Sequence, residues 1–341
     1  MTRRLVVDLQ SSRPLWRIPA GAVRAIREAL PGWDVVAVDE PATSDGDGGP
    51  GTPAAIAAAR GAEAYLGFGV PSGVVAAGRD TLRWAHTATA GAGAAIPNVR
   101  GTRIVLTNSA AIHAEPMADW VLAAILHFSR GVDRMVRAQA EGRWAKDDLT
   151  DGAVGFPELR DLRVGIFGLG GVGSAVARRA VALGMSVAGV RRRPDAPGTA
   201  GLRWVGPFTE LGRLASESDV FVIAAPQTTE TAGAVTGAVL GRLTAGAIVI
   251  NVSRGGLLDD QALLAALDAG ALRGAALDVF ATEPLPAGHR FWRHPRVLIS
   301  PHVSAVSARF WERELGLILG NIRSYLAGAP LANVVDLEAG Y

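Results

Sequence analysis

Residues Gly168-Leu169-Gly170-Gly171-Val172-Gly173 carry the spacing GxGxxG. That spacing gains meaning where it closes an apolar strand and opens an amphipathic helix. Here Arg163–Phe167 reads as the strand and Val172–Leu183 as the helix. In that setting Gly168 allows a tight turn, Gly170 lets backbone approach a pyrophosphate, and Gly173 lets the helix pack close to the strand. The phosphates would rest on the helix N-terminus, on Gly171 and Val172, where free N–H groups and the dipole favour anions. A plain tight β–α connection is the competing explanation in a chain with 42 glycines, and the strand–helix context weighs against it. At the end of the next strand, about 20 residues after the first glycine, NAD sites usually place Asp or Glu. This chain has Val190-Arg191-Arg192-Arg193 there. A carboxylate would repel a 2′-phosphate, whereas Arg191 and Arg192 can bind one bidentately. The expected cofactor is therefore NADP(H), with NAD(H) second; a solvated arginine cluster is the simpler alternative.

Other chemistry is closed off by composition. The 341 residues contain no cysteine, and of 34 basic residues only Lys146 is lysine. Thiolate nucleophiles, iron–sulfur clusters and cysteine zinc sites are excluded, and no metal site is expected. A Schiff-base or P-loop lysine would have to be Lys146, far from any glycine-rich loop. The net charge of +2 with one dense cation run, Arg191–Arg193, argues against a nucleic-acid surface. No apolar run reaches the ~18 residues that span a bilayer. Leu5–Leu9 is interrupted by Asp8, so it reads as a first strand rather than a signal peptide, and a cytoplasmic location is expected.

The elements that would position these residues form two α/β units. In the first, Leu5–Leu9, Val35–Asp39, Ala64–Phe68 and Leu82–Thr89 read as strands, and Ala22–Leu30, Ala54–Arg60 and Gly73–Ala77 as helices. Thr43–Thr52 reads as an exposed loop. One long helix is expected over Glu115–Arg137, followed by a polar stretch at Glu141–Gly155. The second unit alternates strands at Arg163–Phe167, Ser186–Val190, Val220–Ala225, Ala247–Val252, Ala275–Phe280 and Val297–Ser300 with helices, the signature of a doubly wound parallel sheet. A last helix runs from about Ser307 to Leu326. Three more segments then fall at strand ends, where ligands of open parallel sheets bind: Asn251–Gly256, Leu277–Leu285 and Ser300–Ser304.

With the glycine turn, these segments resemble the D-isomer-specific 2-hydroxyacid dehydrogenases over nearly the whole chain. Leu82–Gly91 resembles the family's substrate-loop strand, and Ala114–Trp120 the start of its interdomain helix. Asp161–Gly173, Val220–Pro226 and Asn251–Gly255 follow its cofactor-domain pattern, and the helix ending at Gly328-Ala329-Pro330 also fits. The resemblance implies two Rossmann-like domains, flavodoxin-like and dinucleotide-binding, with parallel sheets and a cleft between them. It places the substrate-binding domain at 1–96 and 301–341 and the dinucleotide domain at 97–300, with crossings near Pro97 and Pro301. It assigns catalysis to Arg254, Glu283 and His302. Cofactor contacts fall to Gly168, Gly170, Gly171, Val172, Gly173, Arg191, Arg192, Ala225, Pro226, Val252, Ser253, Arg254, Asp278 and His302, with Asp278 near the nicotinamide carboxamide. Substrate contacts fall to Ala90, Gly91, Arg254 and His302, with Gly67–Gly69 as a second wall. Gly93 stands where the family often has aspartate, a departure in the substrate loop. The segment Ala114–Arg130 resembles family segments that build a two-fold homodimer.

Those residue types suit the implied chemistry. Reduction of a 2-keto acid needs a hydride on the carbonyl carbon and a proton on its oxygen. Histidine can supply that proton near neutrality. A carboxylate on its other ring nitrogen fixes the tautomer and stabilises imidazolium. Arginine can hold the substrate carboxylate in a fork and polarise the carbonyl. The expected activity is NAD(P)H-dependent reduction of a small 2-keto acid, of glyoxylate or hydroxypyruvate type, to the D-2-hydroxy acid. Oxidation of another small anion, such as formate or phosphite, and a dinucleotide-sensing regulatory role are the alternatives. Among the other histidines, only His294 lies near enough in sequence to rival His302.

Overall fold

The computed structural model describes residues 2–41, 49–150, 155–198 and 200–340. Much of the expected loop at Thr43–Thr52, and the end of the polar stretch Glu141–Gly155, lie outside the described residues. The chain divides into two units, one made of Met1–His113 with Ser307–Tyr341, the other of Ala114–Val306.

In the first unit, β1 (Arg4–Asp8), β2 (Asp34–Ala37), β3 (Ala64–Gly67), β4 (Trp84–Thr87) and β5 (Val105–Asn108) form a parallel sheet in the order β2-β1-β3-β4-β5. Alternation puts Val6, Tyr65, Ala85 and Leu106 in one buried cluster and Leu5, Val7, Leu66 and Trp84 in another. A strand buried on both faces reads as an unbroken apolar run, as β3 and the centre of β1 do, whereas β4 buries the polar His86 and Thr87. The C-terminal helix, Phe310–Leu326, starts three residues later than expected and buries Glu314 completely. Glu314 is paired there with His86 of β4 at 2.9 Å and accepts from the Ser109 hydroxyl at 2.7 Å, so the buried charge is not left alone. The expected crossing near Pro97 falls inside this unit, because β5 pairs in register with β4. The chain enters the second unit at Ala114 and returns at Ser307, both later than expected.

In the second unit, β6 (Arg163–Phe167), β7 (Ser186–Val190), β8 (Trp204–Gly206), β9 (Val220–Ile223), β10 (Ala247–Asn251), β11 (Leu272–Leu277) and β12 (Val297–Ile299) form one parallel sheet. Their order is β12-β11-β10-β9-β6-β7-β8. Strand order reverses between β6 and β9, the switch point of a doubly wound sheet, and ligands of such sheets bind beyond the strand ends there. The expected long helix Glu115–Arg137 is two helices, Ala114–Ser129 and Val132–Ala140, separated at Gly131, whose φ is +69°. The first buries Ala118, Val121, Ile125 and Phe128 in the same core cluster as Ala175, Val176 and Ala180 of the helix after β6. No helix among the described residues is long and apolar enough to cross a membrane.

Candidate active site

The turn after β6 is built as its glycines require. Gly168 has φ +101°, and a methyl group on it would lie 2.4 Å from the Ala225 backbone N and Cα. Only glycine therefore lets β6 run this close to the end of β9, which brings Ala225 and Pro226 beside the turn. Gly170 is the N-cap of the helix Gly171–Ala182, and no atom lies within 4 Å of where its Cβ would point. A methyl on Gly173 would sit 2.0 Å from the Gly168 carbonyl oxygen, so the helix packs tightly onto the turn. The result is an open approach to the free N–H groups of a helix N-terminus, a cradle that fits a pyrophosphate.

Arg191 and Arg192 follow β7. The Arg191 guanidinium donates to the carbonyls of Pro194 and Pro197, at 3.1 and 3.3 Å, while its Nε is buried without a partner. Among the described residues, no carboxylate pairs with it. A cation held by two carbonyls and retaining a spare donor fits a phosphate group; Arg192 beside it is exposed.

Beyond β10, Asn251 is fully buried and shapes the turn that presents Arg254. Its Oδ1 accepts from Ser253 N at 3.1 Å and its Nδ2 donates to the Arg254 carbonyl at 3.1 Å. The Ser253 hydroxyl donates to the Ala225 carbonyl, tying this turn to the end of β9, and Val252 is buried beneath it. A methyl on Gly255 would lie 1.9 Å from the Phe280 carbonyl carbon, so the Arg254 turn presses against the segment leading to Glu283. The Arg254 side chain is exposed at the mouth of a cavity, yet the protein around it depresses its pKa by desolvation, with the Glu283 charge acting in the opposite sense.

His302 lies beyond β12 with φ +55°, in the left-handed region. Asp278, buried at the end of β11, holds it there. The Asp278 carbonyl accepts from His302 N at 2.9 Å, and its carboxylate accepts from Val303 N at 2.9 Å, from Ser304 N at 3.1 Å, and from the Ser300 and Ser304 hydroxyls. His302 Nδ1 lies 2.7 Å from Glu283 Oε2, and Glu283 Oε1 accepts from Phe280 N at 2.9 Å. With Nδ1 committed to the carboxylate, Nε2 is the nitrogen left for proton transfer. Arg254, Glu283 and His302 line one cavity of about 290 Å³ with Gln227, Gly255, Gly256, Phe280 and Ala281. A histidine oriented by a carboxylate and an arginine within one small cavity can protonate a carbonyl oxygen and hold a carboxylate.

Residues 122–304 match the family model described as D-isomer specific 2-hydroxyacid dehydrogenase, NAD binding domain. The glyoxylate/hydroxypyruvate reductase A of Serratia proteamaculans is 34% identical over 229 residues, 67% of this chain and 69% of that protein. The chain belongs to the D-isomer specific 2-hydroxyacid dehydrogenase family. Among solved structures, a family member from Xanthobacter autotrophicus Py2, in complex with NADPH and MES, superposes with TM-score 0.81 at 30% identity over 100% of both chains. The NADPH-dependent glyoxylate/hydroxypyruvate reductase of Sinorhizobium meliloti, in complex with NADP and sulfate, gives 0.78 at 26% identity, again over 100% of both.

Within this dehydrogenase chain, several expected residues lie elsewhere or do something unforeseen. His294 is engaged on another surface: its Nδ1 accepts from Arg296 N at 3.1 Å and its Nε2 faces Asp268 at 3.5 Å. Ala90 and Gly91 belong to the first unit, in the turn after β4. Their carbonyls are taken by Asn108 Nδ2 at 2.9 Å and the Thr89 hydroxyl at 2.7 Å. Their N–H groups donate to no acceptor among the described residues. Phe68, in the expected second wall, meets Trp311 edge-on at 6.4 Å. Of the cavity residues, Gln227 lies outside the segments picked out from the sequence, while Phe280 and Ala281, like the buried Asn251, lie within them but had no role assigned. A buried Asn closing an apolar strand was the one available signal.

Proposed function

We propose that this chain is an NADPH-dependent reductase of small 2-keto acids, of the glyoxylate and hydroxypyruvate type, that forms the D-2-hydroxy acid. The observation that carries the reading is the His302–Glu283 pair at 2.7 Å in the cavity it shares with Arg254. Arg254 takes the substrate carboxylate in a two-donor fork and draws charge from the carbonyl. His302, protonated on both nitrogens, donates Nδ1–H to Glu283 and delivers the Nε2 proton to the carbonyl oxygen as it becomes a hydroxyl. Glu283 holds the ring orientation and stabilises the imidazolium. The nicotinamide, when bound, supplies the hydride to the carbonyl carbon. We read the first unit, which carries the N–H groups of Ala90 and Gly91, as the substrate domain and the second as the dinucleotide domain.

The cofactor reading rests on Arg191 and Arg192, which take the place of the acidic residue usual in NAD sites; the relatives solved with NADPH and NADP agree with it. Arg191→Ala with Arg192→Ala should lower the NADPH-to-NADH ratio of kcat/KM by about 10- to 100-fold, as loss of one or two charge-assisted contacts implies. We further read the enzyme as cytoplasmic and as a homodimer; the exposed apolar side chains of Val132, Met135, Val136 and Trp144 support a partner surface. Light scattering on the purified protein would check the dimer. The direct test of the activity is NADPH oxidation with glyoxylate, hydroxypyruvate, pyruvate, phenylpyruvate and 2-oxobutyrate. Turnover with the smallest acids supports the reading; NADPH binding without turnover on any of them would favour a sensor and refute it.

A further inference from the structure

The cavity that holds Arg254 and His302 has one polar side chain with no role so far, Gln227. It follows Pro226 at the end of β9, and its amide makes no hydrogen bond among the described residues. Its location is nevertheless closely determined. The turn that carries it is closed by Thr231, whose hydroxyl donates to the Pro226 carbonyl at 2.6 Å and accepts from Thr228 N at 2.9 Å. The turn is then stapled to the Arg254 segment, since Gly233 N donates to the Gly256 carbonyl at 2.8 Å and Val235 N to the Leu257 carbonyl at 2.9 Å. The amide itself lies across Gly256. A methyl group there would be 2.7 Å from both Oε1 and Nε2, so the amide occupies the space a side chain at 256 would fill.

We infer that Gln227 is a specificity-determining residue that recognises a hydroxyl on the carbon next to the reacting carbonyl, and so selects 3-hydroxy-2-keto acids. This rests on the reading of the site as a 2-keto acid reductase. In that reading Arg254 takes the carboxylate, His302 the carbonyl oxygen and Glu283 the His302 ring, so three of the four polar side chains in the cavity are spoken for. The fourth, Gln227, is neutral and offers both a donor and an acceptor, which matches a hydroxyl, itself donor and acceptor. An added carboxylate would use only the amide's donor and would meet Glu283 in the same cavity, and an added cation would meet Arg254. The remaining lining side chains, Phe280 and Ala281, are apolar, and a cavity of about 290 Å³ suits a substrate of a few carbons. Gln227 is exposed, so water pairs its amide when the hydroxyl is missing, and the discrimination expected is the net worth of one neutral hydrogen bond.

Hydroxypyruvate and pyruvate differ only in that hydroxyl, so the ratio of their kcat/KM values isolates it and cancels any change in active enzyme or in NADPH handling common to both. In Gln227→Leu the hydroxypyruvate-to-pyruvate ratio should fall about three- to tenfold, the effect of one neutral hydrogen bond. Gly256→Ala keeps Gln227 but displaces its amide, and should shift the ratio in the same direction. The double variant should add little to either single change. A ratio within about twofold of wild type in Gln227→Leu, with both substrates slowed equally, would overturn the proposal while leaving the reductase reading intact. Wild-type enzyme inactive on every 2-keto acid would instead remove that reading, and this one with it.

Discussion

Asp278 offers a prediction whose size follows from its surroundings. Its carboxylate is 1% exposed and accepts from two backbone N–H groups, Val303 and Ser304, and from two hydroxyls, Ser300 and Ser304. In Asp278→Asn one oxygen becomes an NH2 group. If it faced Val303 N, two donors would be forced together, so the amide must put its NH2 toward Ser304, where the hydroxyl can turn and accept. Ser304 N keeps a longer contact, 3.2 Å, to the remaining oxygen. Four charge-assisted bonds thus become about three neutral ones, a loss of about 2–3 kcal/mol. For a unit of this size that is about 5–10 °C in the melting temperature of its transition. Because the same loop holds His302 at φ +55°, kcat should fall about tenfold or more, with a much smaller change in KM for NADPH. Differential scanning calorimetry and steady-state kinetics on one preparation measure both. An unchanged melting temperature with a raised NADPH KM would refute the anchoring role and restore the contact with the nicotinamide carboxamide that the family resemblance implies.

Two further outcomes follow from named contacts. In Glu283→Gln, Phe280 N can only donate, so the new amide must point its oxygen there and its NH2 at His302 Nδ1; the ring is then forced neutral, its Nε2–H becomes a weak acid, and kcat on glyoxylate should fall about 100-fold. Burial would raise the pKa of Asp219, but hydrogen bonds from Arg163 outweigh it and hold the carboxyl below its usual value; this stabilisation, about 1 kcal/mol, is present above the unfolded-state pKa of about 4 and is lost as pH falls through the lower folded-state value, so wild type should lose its advantage over Asp219→Asn in urea titrations below about pH 4.

The sequence was most informative where burial is complete. β6 and β7 each open on one polar residue, Arg163 and Ser186, and then run apolar and buried to their ends, because both faces are covered there. β5 and β8 went unread for the opposite reason. β5 opens on an exposed Val105 and ends on Thr107-Asn108, and β8 is three residues long and ends on a glycine, so neither shows a run or an alternation. The crossing near Pro97, implied by the resemblance, falls before β5, which belongs to the first unit. Arg254, Glu283 and His302 lie in strand-end segments, which parallel topology brings together, and the resemblance to the family singled them out within those segments. Asp278 and Gln227 were not legible in their roles. The first acts through hydrogen bonds to a loop some 25 residues away, and the second through its fit over Gly256, and neither relation has a spacing to read.

The central claim is that His302 delivers a proton to a 2-keto acid in a site that holds NADPH independently. Its most direct test is glyoxylate reduction by His302→Ala, with NADPH affinity measured on the same sample from the quenching of protein fluorescence. The account predicts that kcat falls by about 10²–10⁴-fold, the worth of a general acid, while the NADPH dissociation constant stays within about threefold of wild type. Turnover within tenfold of wild type, at unchanged NADPH affinity, would contradict it.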